Sequence, residues 1–162
     1  MTLVIRTARP EEYDLIGELT VAVYLKDDLI NPASTYFNIL RDAADRGDMA
    51  ELVVAELAGE IVGSVAYCPP DSPYAELAAP DEAEFRMLAV RDAVRSRGIG
   101  GALIQECIDR AKSSGFTGIR LSTQRNMQAA HRIYERIGFE RTPDRDWSPL
   151  PGVNLITYFL RL

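Results

Sequence analysis

Apolar and polar positions change period several times along this chain, and each change marks a boundary. Residues 3 to 6, LVIR, form a short β-rich run that predicts a strand. The stretch RPEEYDLIGELTVAVYL carries a proline and two glutamates where a helix N-terminus accepts them, so a first helix is expected there. A second is expected across NPASTYFNILRDAADRGD, ending near Gly47. ELVVAELAGEIVGSVAYC sets two β-rich runs around Ala58-Gly59, a tight connection that predicts a hairpin. Residues 69 to 81 are rich in proline and acidic side chains and read as a loop. Beyond them EAEFRMLAV predicts a strand, GIGGALIQECIDRAKSSG a helix, GIRLSTQ a strand and MQAAHRIYERIG a helix. FERT and VNLITYFLRL close the chain as two strands, separated by a loop bearing prolines and Trp147. This order implies an α/β fold, a mixed sheet with helices on its faces. The crossover around residue 98 is expected to join parallel strands in the right-handed sense.

Composition narrows the picture. A chain of 162 residues, 47% apolar and 26% charged, suits one soluble globular domain spanning 1–162. No apolar run approaches the roughly 20 residues that span a bilayer, and MTLVIRTARPEEYD lacks the apolar core of a signal peptide, so no membrane partner and a cytoplasmic location are expected. Eighteen basic residues against 24 acidic ones leave a net charge of −6, which argues against a nucleic-acid partner. That charge suits a cationic substrate and serves solubility equally well. Cys68 and Cys107 fall inside apolar patterns and are expected as buried free thiols. A single histidine without CxxC or HExxH gives no metal site.

The densest chemistry lies in RSRGIGGALIQE, residues 95 to 106. Glycines at 98, 100 and 101 remove side chains from a strand-to-helix turn, so backbone N–H groups can approach a ligand together. A helix N-terminus adds unpaired N–H groups and partial positive charge, an anion site. Arg95 and Arg97 are expected to repel that end until an anion arrives. The dinucleotide pattern GxGxxG fails at Leu103, and no Gly-Lys pair exists for a P-loop.

Arg95, Gly98 and Gly100 spell RxxGxG, and here the sequence resembles the GNAT superfamily of N-acetyltransferases, in which this element binds the diphosphate of acetyl-CoA. EFRMLAV stands immediately upstream, as in that family. Downstream, NMQAAHRIYERIGFE resembles its second signature: asparagine, alanine three later, tyrosine eight later, then Gly-Phe. The resemblance runs from Leu3 to Leu162 and is most specific from Glu84 to Phe139. It implies a central mixed sheet of six to seven strands with helices on both faces. It also implies acetyl transfer from acetyl-CoA to a primary amine of a small molecule, amino acid, peptide or protein, by direct attack on the thioester. The alternative is an inactive acyl-CoA-binding or dimerisation module, and family habit suggests a homodimer.

By the same resemblance the main chain of Leu88, Ala89 and Val90 binds the cofactor, with the Leu88 amide near the acetyl oxygen. Arg95, Ser96, Arg97, Gly98, Ile99, Gly100 and Gly101 surround the diphosphate, and Asn126 and Ala129 line the cofactor from the next helix. Asn126 could instead simply cap that helix. Tyr134, at the rim of an apolar stripe of Ala129, Ala130, Ile133 and Ile137, is the expected general acid. Glu84 is the expected general base, with Glu82 or water as alternatives. His131 falls on the polar arc and is expected to be solvated. Trp147 lines the acceptor pocket or covers the sheet end. Asp71, Glu76, Asp81, Glu82 and Glu84 form either an attractor for a cationic amine or an ordinary solvated loop. An intact RxxGxG together with Tyr134 and a strand carboxylate favours an enzyme over the inactive module.

Overall fold

The computed structural model describes residues 2–162. Its strands are β1 (Leu3–Thr7), β2 (Glu51–Leu57), β3 (Glu60–Cys68), β4 (Glu82–Val90), β5 (Gly118–Gln124), β6 (Glu140–Arg141), β7 (Trp147–Leu150) and β8 (Val153–Arg161). They form one sheet in the order β1-β2-β3-β4-β5-β8-β6, with β7 also on β8. Every pairing is antiparallel except β4 with β5, the pair joined through a helical crossover. The eighth strand lies where a loop was expected: Trp147 pairs with Leu155 and Leu150 with Val153, around Gly152 at φ 84°. Pro149 hides this short edge strand from a pattern reading, because proline is tolerated only where no ladder N–H is needed.

The helices are α1 (Tyr13–Lys26), α2 (Thr35–Arg41), α3 (Ala43–Met49), α4 (Ile99–Ser113) and α5 (Gln128–Ile137). The expected second helix is thus two. Asp42 ends α2 at ψ 70° and caps α3 by accepting from the Asp45 amide at 3.1 Å. Arg46, 1% exposed, donates to the Ile39 and Leu40 carbonyls at 2.9 and 2.8 Å, groups a helix end leaves unpaired. Gly47 does not end the helix. It stands inside α3, where a Cβ would meet the Tyr13 ring at 2.3 Å. The hairpin turns at Ala58 (φ 52°) and Gly59 (φ 82°), as its sequence predicts.

Two apolar layers sandwich the sheet. Leu103, Ile104, Cys107, Ile108 and Ala111 recur at helical spacing along α4 and pack on one face with Phe85, Leu121 and Tyr134. The other face packs α1 to α3 through Ile16, Leu19, Tyr24, Tyr36 and Leu40. Full burial of each such side chain contributes about 1.5–3 kcal/mol. Cys68 and Cys107 are buried free thiols. Among the described residues no helix is long and apolar enough to cross a membrane.

Candidate active site

The parallel ladder between β4 and β5 stops early. It runs from Glu82 opposite Gly118 to Phe85 opposite Leu121 and goes no further. Past that point β4 stays with β3, Val90 opposite Gly63, while β5 stays with β8, Gln124 opposite Leu155. The two strands therefore splay, and the edge of β4 from Arg86 to Val90 that faces β5 has no strand against it. The divergence coincides with a bulge in which Met87 adopts φ 59°, an uncommon conformation for a side chain of that size. The bulge breaks the alternation of faces. Phe85 and Leu88 share the α4 layer, whereas Met87 and Ala89 lie in the α1 layer.

A narrow pocket opens in the splay. Its walls include Tyr24 of α1, Tyr36 of α2, Arg86 and Met87 of β4, Thr123 of β5 and Met127. Arg86 is 6% exposed; its nearest acceptors are the Tyr74 carbonyl and the Tyr36 hydroxyl, both at 3.4 Å, and its guanidinium lies 5.4 Å from the Trp147 ring centre. Trp147, on β7, in turn donates to the hydroxyl of Ser122, one of the lining residues, at 2.9 Å. Arg86, Tyr24 and Tyr36 were not singled out from sequence. The available signal was a lone cation inside the apolar run of EFRMLAV.

At its far end β4 passes through a single helical turn at Asp92–Val94 to the glycine turn. Ser96 (φ 68°) and Gly98 (φ 77°) take left-handed conformations, and Gly98 begins α4 without any side-chain cap. The first backbone bond of the helix is Ala102 N–H to the Gly98 carbonyl at 3.0 Å, so the amides of Ile99, Gly100 and Gly101 point outward without an intrahelical partner. A Cβ built at Gly98 or Gly101 meets nothing within 4 Å; at Gly100 it touches Ile133 and Val90. Two of the three glycines thus face open space, while Gly100 lets α4 lie against α5. Ser96 and Arg97 are exposed. Arg95 is not left to repel the helix end. It pairs with Asp27 at 2.5 and 3.2 Å and with Asp92 at 3.5 Å, and Lys26 pairs with Asp92 at 2.9 Å. Two crossed ion pairs therefore tie this turn to the end of α1.

On β4, Leu88 and Ala89 are buried and Val90 partly so. On the opposite bank Asn126 is exposed, and Met127 occupies the cap position of α5 with no side-chain cap bond, so Asn126 does not serve as a cap. Ala129 is exposed rather than part of the apolar stripe. The buried face of α5 centres on Tyr134, 2% exposed, with ring centres 6.0 Å from Phe85 and Phe139 and 5.7 Å from Tyr158. Burial raises its phenol above the ordinary range and keeps it protonated. His131 is half-buried rather than solvated: its Nε2 lies 3.3 Å from the Thr123 hydroxyl and its ring packs on Tyr158 at 5.8 Å. Burial lowers its pKa.

The two strand carboxylates differ. Burial pulls Glu82 up, but a fork of bonds from Arg120 (2.7 and 3.2 Å) and the Ala79 amide (2.9 Å) outweighs it and holds the carboxyl below the ordinary range. Glu84 is 0% exposed; Oε1 accepts from the Leu77 and Ala78 amides at 2.7 and 3.1 Å, and Oε2 has no partner. Burial pushes it up to about 7, against those amides and Arg86. Asp81 accepts from the Thr117 hydroxyl at 2.9 Å, and Asp71, Glu76 and Asp81 are exposed, so of the five acids only Glu82 and Glu84 turn into the protein.

A sequence model described as the acetyltransferase (GNAT) family matches residues 12–139. N-acetylaspartate synthetase of Danio rerio is 33% identical over 101 residues, which are 62% of this chain and 33% of that protein. The matches span from a third to just over half of the length of the curated relatives. Among solved structures, an acetyltransferase of the GNAT family from Staphylococcus aureus superposes with a TM-score of 0.79 at 16% identity, covering 99% of both chains. The PaiA N-acetyltransferase of Thermoplasma acidophilum, in complex with coenzyme A, gives 0.69 at 16% identity over 100% of both chains. At those identities the structures establish likeness of fold.

Proposed function

Because this chain belongs to the acetyltransferase (GNAT) family, we propose that it transfers the acetyl group of acetyl-CoA to an amine. The observation that carries the reading is the continuity of the splay with the glycine turn: an unpaired strand edge leads to three amides without intrahelical partners, with open space at Gly98 and Gly101. An extended pantetheine can add to such an edge as a strand does, and a diphosphate suits such a helix end. Leu88, Ala89 and Val90 present the edge; Arg95 through Gly101 hold the diphosphate; Asn126 and Ala129, both exposed and unspent on capping or core, flank it.

Acetyl-CoA brings an activated thioester, and the protein supplies position and proton traffic. The Leu88 amide is assigned to the acetyl oxygen, where negative charge grows. The amine nitrogen bonds to the acetyl carbon as the carbon–sulfur bond breaks. Glu84, two residues from Arg86 on the same strand face, takes the amine proton at its buried, unpartnered Oε2 through a water that enters with the acceptor. Tyr134 gives its hydroxyl proton to the departing sulfur and recovers one from solvent, so coenzyme A leaves as the thiol. Glu82 is a poorer base because Arg120 holds it ionised.

Thermal unfolding tests the donor. Acetyl-CoA and CoA are expected to raise the melting temperature by about 5–10 °C at roughly 100-fold above their Kd. ATP and NAD are expected to leave it in place, and stabilisation by these alone contradicts the reading.

A further inference from the structure

Resting on the acetyl-transfer reading, we infer that the acceptor carries a carboxylate next to its amine, that it is an amino acid, and that Arg86 is the residue that selects it. Arg86 is a cation 94% withdrawn from solvent, as its 6% exposure records, and it forms part of the pocket wall in the splay. Among the described residues no carboxylate lies within 4.0 Å of it. Glu84, the nearest acid along the strand, spends Oε1 on the Leu77 and Ala78 amides. Five guanidinium N–H donors therefore share two long contacts, at 3.4 Å each, to a carbonyl and a phenol.

Burying a guanidinium this way is unfavourable unless a partner arrives, and the partner whose geometry fits it is a carboxylate, received through two parallel bonds of about 2.8 Å. The surroundings hold the receptor in place: the Trp147 ring packs on the guanidinium, and Trp147 is itself fixed by Ser122. Arg86 and Leu88 flank Met87 at the bulge, so both lie in the short interval of β4 where the strands splay. An amino acid whose carboxylate is bonded to Arg86 directs its amine into that interval, where the thioester is assigned. Met87, Met127, Tyr24 and Tyr36 line the same narrow pocket, about 10 Å³ in volume, and their side chains must shift to admit the remainder of the acceptor.

The test compares free amino acids with their own carboxamides and with simple alkylamines at saturating acetyl-CoA, reading released CoA. For at least one amino acid, kcat/KM is expected to exceed that of its carboxamide by about 100-fold or more. Arg86→Gln is expected to remove most of that preference through the acceptor KM, leaving the acetyl-CoA KM within about 3-fold, and Arg86→Lys to restore part of it. If neither variant folds, the wild-type comparison decides alone. Equal use of carboxamides or alkylamines overturns the inference, as does a wild-type protein that binds acetyl-CoA and acetylates no amino acid. Failure of acetyl-CoA to bind at all is a different result and overturns the donor assignment beneath it.

Discussion

Burial gives Glu84 a carboxyl that changes charge close to neutrality, at about 7. In the unfolded chain the same group titrates near about 4.3, so the folded protein binds more protons between the two values. Its contribution to stability is fully present below the unfolded value and is lost as pH rises through about 7. Carboxyls held low, such as Glu12 at about 2 beside Arg6, act in the opposite sense: their contribution is present at neutral pH and lost in acid. Comparing wild type with Glu84→Gln separates the two. Between pH 5 and pH 8 wild type is expected to lose about 1–3 kcal/mol relative to the variant in denaturant unfolding, and parallel profiles contradict the assigned burial. Tyr134 is tested by kinetics. Tyr134→Phe keeps the packed ring and removes the hydroxyl, so kcat is expected to fall about 10–100-fold with acetyl-CoA affinity nearly unchanged. An unaltered kcat removes it from the mechanism. Tyr134 could be found from spacing because its motif is local. Arg86 could not, because an alternating strand pattern assigns it to a face without saying what covers that face.

At the scale of elements, ion pairs connect α1 to the glycine turn proposed to hold the donor. Arg95 is shared between Asp27 and Asp92 and is free for a diphosphate only if it leaves Asp27. Asp27→Asn is therefore expected to tighten acetyl-CoA binding about 2–5-fold at low salt, the gain fading as salt screens the pair. Weaker binding by the variant contradicts this and makes the pair a scaffold for the site. No pattern in the sequence links residues 27 and 95, which meet only through the tertiary fold. The same limit explains the other differences. The hairpin at Ala58-Gly59 and the order from β4 to α5 follow from local turn chemistry and periodicity. The break at Asp42 depends on Arg46 reaching back to α2, the half-burial of His131 depends on Tyr158 from another strand, and β7 exists only by pairing with β8.

For the whole molecule, an anionic donor is placed by the proposed reading on a chain of net charge −6, at a helix end that offers it unpaired backbone amides with Arg95 and Arg97 alongside. The fold makes that site by leaving two strands unpaired beyond Phe85 and Leu121 and by opening a helix with glycine instead of a capping side chain. Gly101 lies in the first turn of α4 with empty space where its Cβ would be. Gly101→Glu separates the stability of the protein from its binding, because an acidic residue in a first turn stabilises a helix by about 0.3–1 kcal/mol while it repels a diphosphate. Calorimetric titration of acetyl-CoA into wild type and Gly101→Glu is the most direct measurement. The expected result, for a variant whose thermal unfolding shows it folded, is acetyl-CoA affinity reduced about 10-fold or more. Equal affinity in a folded variant contradicts the placement of the donor at this helix end.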